Sequence, residues 1–255
     1  MMRMARPARS FPTLLLGLLL LVTTGAGASD FQVSPVRVDV GDRVRSALLT
    51  VRNQGQEPLR LQVTAFAWDQ DSRGEQRLTA TTDVSFFPSL LSLEAGEVRN
   101  IRVGVAGAPG ATERTYRLII EQLPPLVRGG SSPPGIRVLT RMSIPVFMAP
   151  VRGAGIGGIR APCLKAGAVA FSVYNKGTAH FLVQSVHVRG LDAAGAVVME
   201  RQLPGWYVLA GGRRDYTLDL TAPLVRQIRR ITVDARTDVS NLSGSFDVAA
   251  GVCSS

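Results

Sequence analysis

The two histidines are the first residues to test for chemistry, because a general base or a metal site often includes one. His180 and His187 are seven residues apart in a segment that we predict to be extended. An odd spacing places two side chains on opposite faces of a strand. The two histidines should therefore not bind one metal ion together, and neither should orient the other as a catalytic base. The sequence also lacks HExxH, GxSxG and P-loop motifs. We predict no catalytic residue, no metal site and no enzymatic activity.

A glycine-rich run at residues 153–158, G-A-G-I-G-G, has the composition of a phosphate-binding loop. Such a loop needs a helix directly after it to present backbone N–H groups to the phosphate. Arg160-Ala161-Pro162 interrupts any helix here. We predict a linker at this run and no cofactor.

The sequence contains two cysteines, Cys163 and Cys253. There is no CxxC motif and no nearby histidine to activate a thiol, so an exported chain of this kind should join them in one disulfide. The loop between them is 90 residues long. Closing a loop of that length removes about 4–5 kcal/mol of chain entropy from the unfolded state.

The first 28 residues have the three parts of an export signal. Three arginines lie in the first nine residues, an apolar stretch runs from Leu14 to Val22, and Ala26-Gly27-Ala28 supplies a cleavage site. We predict cleavage after Ala28. No later stretch has the roughly 20 apolar residues that a spanning helix requires, so we predict an exported chain without stable membrane insertion.

The positive charge of the chain is carried almost entirely by arginine. Lys165 and Lys176 are the lysines, and the arginines are distributed along the whole sequence. Nucleic-acid-binding proteins instead cluster their cations among aromatic residues. We therefore predict no nucleic-acid partner, and consider isolated arginines better suited to an acidic chain terminus or an acidic protein surface.

Short apolar-alternating segments separated by turn residues cover most of the mature sequence. The clearest is Leu59–Trp68, in which every second residue is apolar. About seven such segments precede Pro150, a similar number follow it, and none has helical periodicity with caps. We predict an all-β chain with two immunoglobulin-like β-sandwich domains, residues 29–149 and 150–255.

Residues 136–148, I-R-V-L-T-R-M-S-I-P-V-F-M, form a segment too long for an ordinary strand. Pro145 cannot donate a backbone hydrogen bond and so places this strand at a sheet edge. Our hypothesis is that the edge is offered to another protein. The side chains on one face of the segment are Ile136, Val138, Thr140, Met142, Ile144 and Val146.

Four segments of the first domain, in order, carry a resemblance to a known family: F-Q-V-S-P-V-R-V, L-L-S-L-E-A-G-E-V-R-N-I-R-V, T-Y-R-L-I-I-E-Q-L-P-P and S-I-P-V-F-M-A-P. They resemble the periplasmic chaperones of the chaperone-usher pathway, in the Pap-like superfamily. The resemblance implies two domains in an L-shaped arrangement, a periplasmic location, pilin-like subunits as clients and an outer-membrane usher as second partner. It also implies donor-strand complementation, in which residues 136–148 complete an unfinished fimbrial or spore-coat-type subunit without ATP.

The resemblance also indicates how the carboxylate of the client would be held. Pap-type members use an arginine on the first strand and a lysine near the end of the donor strand. Arg37 matches the arginine, but Pro145 stands at the lysine position. This departure favours an archaic, Csu-like branch, and Arg117 and Arg141 become further anchor candidates because a guanidinium binds a carboxylate bidentately.

The alternative is a secreted two-domain β-sandwich protein for adhesion or ligand binding. Such a protein would be a stable monomer that needs no incomplete partner, and its first-domain edge strand would have no special role.

Overall fold

The computed structural model describes residues 31–71, 73–125, 138–165 and 167–248. The first half contains ten strands. They are β1 (Phe31–Ser34), β2 (Val38–Val40), β3 (Ser46–Asn53), β4 (Leu59–Gln70), β5 (Gln76–Ala80), β6 (Val84–Phe87), β7 (Leu90–Leu93), β8 (Val98–Val105), β9 (Arg114–Gln122) and β10 (Arg141–Met148).

These strands form two sheets that enclose one core. One sheet has the order β1-β3-β8-β6, and the other has the order β2-β10-β9-β4-β5 with β7 paired to β4. Alternate residues of each strand face the shared core, for example Leu49 and Ile101 from the first sheet and Leu61 and Ile120 from the second. The predicted alternation of Leu59–Trp68 is confirmed, because this segment lies within the long strand β4.

The N-terminal segment changes sheets at a proline. Phe31–Ser34 pairs with β3 in one sheet, and Val38–Val40 pairs with β10 in the other. A cis peptide bond joins Ser34 and Pro35 between them. Pro35 therefore lies where the chain leaves one sheet for the other.

The second half has the same style of architecture. Its elements are β11 (Gly157–Lys165), β12 (Ala168–Asn175), β13 (Phe181–Leu191), β14 (Val197–Pro204), β15 (Tyr207–Val208), β16 (Arg213–Asp219), α1 (Ala222–Gln227), β17 (Arg230–Thr237) and β18 (Asn241–Asp247). The sheets have the orders β11-β12-β16 and β14-β13-β17-β18, with β15 paired to β13. A separate core joins them, including Val173, Phe181 and Val233. The predicted fold class, two β-sandwiches, is confirmed.

Two local predictions for the second half need correction. The six-residue helix α1 was not predicted, because it is too short to show periodicity; Thr221 precedes it and a proline occupies its first turn. The glycine run 153–158 is not entirely a linker, since Gly157 and Gly158 begin β11. The Tyr174 ring covers Gly158, where a Cβ would lie 2.4 Å from the ring.

Several predictions fall on residues that the structure does not describe. The export signal, Ile136 and Cys253 lie outside the described residues, as does the side chain of Cys163 on β11. Within the described ranges, no helix is long and apolar enough to cross a membrane.

Candidate functional site

Strand β10 has one edge that is only partly paired. Its fully paired edge is hydrogen-bonded to the antiparallel strand β9 from Arg141 to Met148. On the partly paired edge, β2 runs parallel to residues Val146–Met148 only. Among the described residues, no strand pairs with the remaining edge of Arg141–Pro145, which we call the free edge. Unpaired backbone groups at such an edge are a template for an additional strand.

The side chains of the predicted client-binding row divide into two groups. Ile144 and Val146 are buried in the core of their own first domain. Met142 is half-buried beside that core and Thr140 is half-buried, whereas Val138 is 78 % exposed. Ile144 and Val146 therefore pack in their own domain, because strand periodicity identifies a common face without saying whose core that face contacts. Contact of the row with a client stays a prediction.

Arg117 lies beside the end of the free edge. It is on β9 directly across from Pro145, and it is only 2 % exposed. Its guanidinium carbon lies 3.7 Å from the centre of the Trp68 ring. Its Nε and Nη2 atoms have no hydrogen-bond partner among the described residues, and neither does Trp68 Nε1. Burial lowers the pKa of Arg117 from 12.5 to about 10.

Aromatic residues from the second domain complete the surroundings of Arg117. The rings of Trp206 and Tyr207 have their centres 5.6 and 5.9 Å from the Arg117 guanidinium carbon. The Tyr207 ring also contacts Trp68 edge-on. A buried cation for which the described residues supply no counter-ion, bordered by ring faces, is suited to an anionic group that enters from outside.

Sequence reasoning did not identify Trp206 and Tyr207. They belong to the half of the chain that carries little resemblance to the chaperone family, and they reach Arg117 only through the packing of the domains. The signal available was modest: Trp206 and Trp68 are the two tryptophans of the chain, and Trp206 remains partly exposed.

The other two anchor candidates already have acidic neighbours. Arg37 donates from Nε to Asp39 at 2.8–3.0 Å, and its Nη1 lies 4.0 Å from Asp238. Burial opposes the charge of Arg37, but the hydrogen bond to Asp39 raises its pKa overall. Arg141 is exposed, with its Nε 3.9 Å from Glu121. Arg37 still borders the site, because its guanidinium lies 5.4 Å from the Phe147 ring centre.

A second feature that the sequence did not reveal joins the two domains. Glu113, just before β9, accepts a hydrogen bond from the backbone N–H of His180 at 2.9 Å, and its Oε2 lies 2.7 Å from Nδ1 of the same residue. The His180 ring stacks on Phe147 of β10 with ring centres 3.6 Å apart. Both Glu113 and His180 side chains are buried. The described residues contain no cluster of three or more metal-ligating side chains.

Residues 30–153 match the sequence family described as pili and flagellar-assembly chaperone, PapD N-terminal domain. The first domain of this chain is a pilus-assembly chaperone domain. The resemblance of its four sequence segments to chaperone-usher proteins is thereby confirmed. The two sheets, the sheet-switching first segment and the partly paired edge strand described above all lie within this chaperone domain.

Solved structures of pilus chaperones share the fold over most of this chain. The chaperone in the CsuC–CsuE chaperone–tip adhesion subunit complex of the archaic Csu pili of Acinetobacter baumannii has a TM-score of 0.55 and 16 % identity, covering 83 % of this chain and 97 % of that one. The YadV chaperone has a TM-score of 0.56 and 15 % identity, and the match covers 86 % of this chain and 100 % of that one. A chain of the Salmonella enterica SafA pilin–SafB chaperone complex has a TM-score of 0.52 and 14 % identity, and the match covers 86 % of this chain and 98 % of that one. No curated protein sequence matches the chain.

Proposed function

We propose that this protein is a periplasmic chaperone that binds pilin-like subunits by donor-strand complementation and delivers them to an outer-membrane usher. The observation that carries the proposal is the free edge of β10, which ends beside Arg117, a buried cation without a counter-ion among the described residues. An incomplete β-sandwich lacks one strand, and the free edge supplies the missing ladder of hydrogen bonds. Val138, Thr140 and Met142 supply side chains for the exposed groove of the client.

The charge of the site determines the direction of the client strand. A client strand parallel to β10 would lie in line with β2 and bring its C-terminal carboxylate to the end of the free edge. An antiparallel strand would instead place that carboxylate at the Arg141 end of the free edge, away from Arg117 and Arg37. Attraction between a carboxylate and these guanidiniums favours the parallel arrangement. Arg117 is the principal anchor in this proposal, because Arg37 and Arg141 already have carboxylate neighbours.

The client-binding row can be tested without damaging the chaperone core. We expect the double variant Val138→Asp, Met142→Asp to lose capture of a co-expressed pilin-like subunit, because burial of each side chain is worth roughly 1.5–3 kcal/mol. That corresponds to roughly 10- to 150-fold in affinity for each position. The measurement is the amount of subunit that copurifies from the periplasm. Ile144 is unsuitable for this test, because its buried side chain stabilises the first domain itself.

A matched control pair, Leu90→Asp with Val98→Asp, adds the same two charges at exposed apolar positions outside strand β10. This control should retain capture. If the Val138→Asp, Met142→Asp variant folds and copurifies with as much subunit as the wild type, the free edge is not the client site.

Delivery to the usher requires a surface that stays accessible while the client is bound. The outer face of the β1-β3-β8-β6 sheet meets this condition, because the free edge belongs to the other sheet. Phe87 is 78 % exposed on β6, and Leu48 is exposed on β3. Both are cross-strand neighbours of Arg102 on β8. We assign this apolar row to the periplasmic domain of the usher.

The usher surface has its own test. Phe87→Ser should leave subunit copurification unchanged and reduce binding of the chaperone–subunit complex to the isolated usher periplasmic domain, measured by surface plasmon resonance. Equal usher binding by the variant and the wild type would exclude this face.

The remaining parts of the proposal concern processing and classification. We propose cleavage after Ala28, a domain boundary near 149/150 and a non-enzymatic role. Pro145 at the lysine position supports placement in a Csu-like branch. N-terminal sequencing of the periplasmic protein tests the cleavage site, and a first residue other than Ser29 would refute it.

A further inference from the structure

The segment from Trp206 to Leu209 belongs to the second domain but forms one wall of the Arg117 site. Several hydrogen bonds attach this segment to the second domain. Tyr207 and Val208 pair with β13, and Asn175 Nδ2 donates to the Val208 carbonyl at 3.1 Å. The Trp206 carbonyl accepts from the Val183 backbone N–H at 3.0 Å. Contacts that cross from the first domain set the position of this wall relative to Arg117. The Tyr207 ring contacts the rings of Trp68 and Phe147, and one hydrogen-bonded contact reaches the backbone of the segment.

Gln70 makes that contact at the end of β4. Its Nε2 donates to the Tyr207 carbonyl at 2.8 Å, and its Oε1 accepts from the Leu209 backbone N–H at 3.0 Å. The carboxamide thus uses a donor and an acceptor on the same short segment, as a neighbouring strand would. Two bonds in this arrangement fix the orientation of the segment as well as its distance. Gln70 lies two residues after Trp68, and the Trp68 ring stacks on the Arg117 guanidinium.

We propose that Gln70 is a positioning residue that preforms the carboxylate site at Arg117, an inference that rests on the proposed function. It holds Trp206 and Tyr207 against the guanidinium and so keeps water away from it before the client arrives. An ion pair formed in a dry site is stronger than one formed in water. The property that Gln70 controls is the preference of the chaperone for a free C-terminal carboxylate over a neutral C-terminus.

The test compares two synthetic peptides with the sequence of the last strand of a pilin-like subunit, one a free acid and the other a C-terminal amide. Both tryptophans of the chain border Arg117, so intrinsic fluorescence reports binding directly. We expect the wild type to prefer the free acid. Gln70→Ala should reduce this preference by about tenfold, mainly by weakening binding of the acid. Gln76→Ala is the matched control, because Gln76 is exposed and lies opposite Gln70 in the β4–β5 hairpin.

A second variant, Gln70→Glu, keeps the size of the side chain. Its carboxylate can still accept from Leu209, but it cannot donate to the Tyr207 carbonyl, so the preference for the free acid should fall as it does in Gln70→Ala. Acrylamide quenching of tryptophan fluorescence should increase in both variants as Trp206 moves away from the guanidinium.

The outcomes separate this inference from the proposed function. If Arg117→Met abolishes the preference for the acid while both Gln70 variants retain it, the role of Gln70 is refuted and the carboxylate site stands. If Arg117→Met itself retains the preference, the carboxylate site fails and the role of Gln70 fails with it. If neither Gln70 variant folds, Gln70 is a folding residue and the inference is wrong.

Discussion

Replacing Arg117 with methionine should have opposite effects on the stability of the chaperone and on its binding of clients. The pKa of Arg117 is lowered from 12.5 to about 10 by burial. At about 1.4 kcal/mol per pKa unit, the folded chain bears a cost of about 3 kcal/mol for keeping this group charged. A lowered pKa of a base means that the cost applies at every pH below about 10. Stacking on Trp68 offsets part of it, by about 1–2 kcal/mol.

Arg117→Met removes both the cost and the stacking and keeps an unbranched side chain that matches the stem of the arginine. The net expectation is a gain of about 1–2 kcal/mol in the unfolding free energy of the unbound protein, or about 3–6 °C in the midpoint of thermal unfolding. The same variant should bind a client at least about 30-fold more weakly, since losing one partner of a buried ion pair costs about 2–5 kcal/mol. Differential scanning calorimetry and client titration measure the two quantities.

Arg141→Met is the matched control. Arg141 is exposed and 3.9 Å from Glu121, so its replacement should change stability by no more than about 0.5 kcal/mol. If Arg117→Met instead lowers the unfolding free energy of the unbound protein by more than about 1 kcal/mol, the guanidinium stabilises the fold and is not reserved for an incoming anion.

Three further substitutions or treatments test other parts of the structure. Glu113→Ala should lower stability by about 2–6 kcal/mol and increase proteolysis between the domains, because it leaves two buried polar groups of His180 unpaired; unchanged proteolysis would contradict a role in domain docking. Mass spectrometry with and without reduction should detect one disulfide between Cys163 and Cys253, and two alkylatable thiols in the unreduced protein would rule it out. Gly74→Ala should destabilise the protein more than Gly96→Ala in chemical denaturation: both glycines have positive φ, but a Cβ at Gly74 would lie 2.8 Å from a backbone oxygen, whereas nothing lies within 4 Å at Gly96.

The sandwich architecture was predictable because each strand carries its own alternation. Residues 59–68 show it without any reference to the remainder of the chain, and Pro35 marks the change of sheet by its chemistry alone. Arg117 could be named from its sequence context as a candidate anchor for a carboxylate. Its lack of a counter-ion among the described residues could not be predicted, because that depends on which carboxylates the fold brings near it.

Contacts between the domains were not predictable by the same means. Glu113 and His180 are separated by 67 residues, and Gln70 lies 137 residues from Tyr207. Neither pair belongs to a periodic pattern or a motif, so only the packing of the domains brings them together. The division of the β10 row has a similar cause: Ile144 and Met142 are equivalent by alternation, and they differ only in how far the first-domain core extends along the strand.

The short strand β2 limits how far any strand that joins β10 can extend along it. It occupies the three positions beside Val146–Met148, so an added strand can advance along the five residues of the free edge, about 17 Å, and no further. A subunit tail one residue too long would have to slip by one position, which turns every side chain of its strand to the opposite face. Selection of clients would then depend on the length of the tail beyond its last core residue, a geometric criterion that clients with dissimilar sequences can satisfy equally.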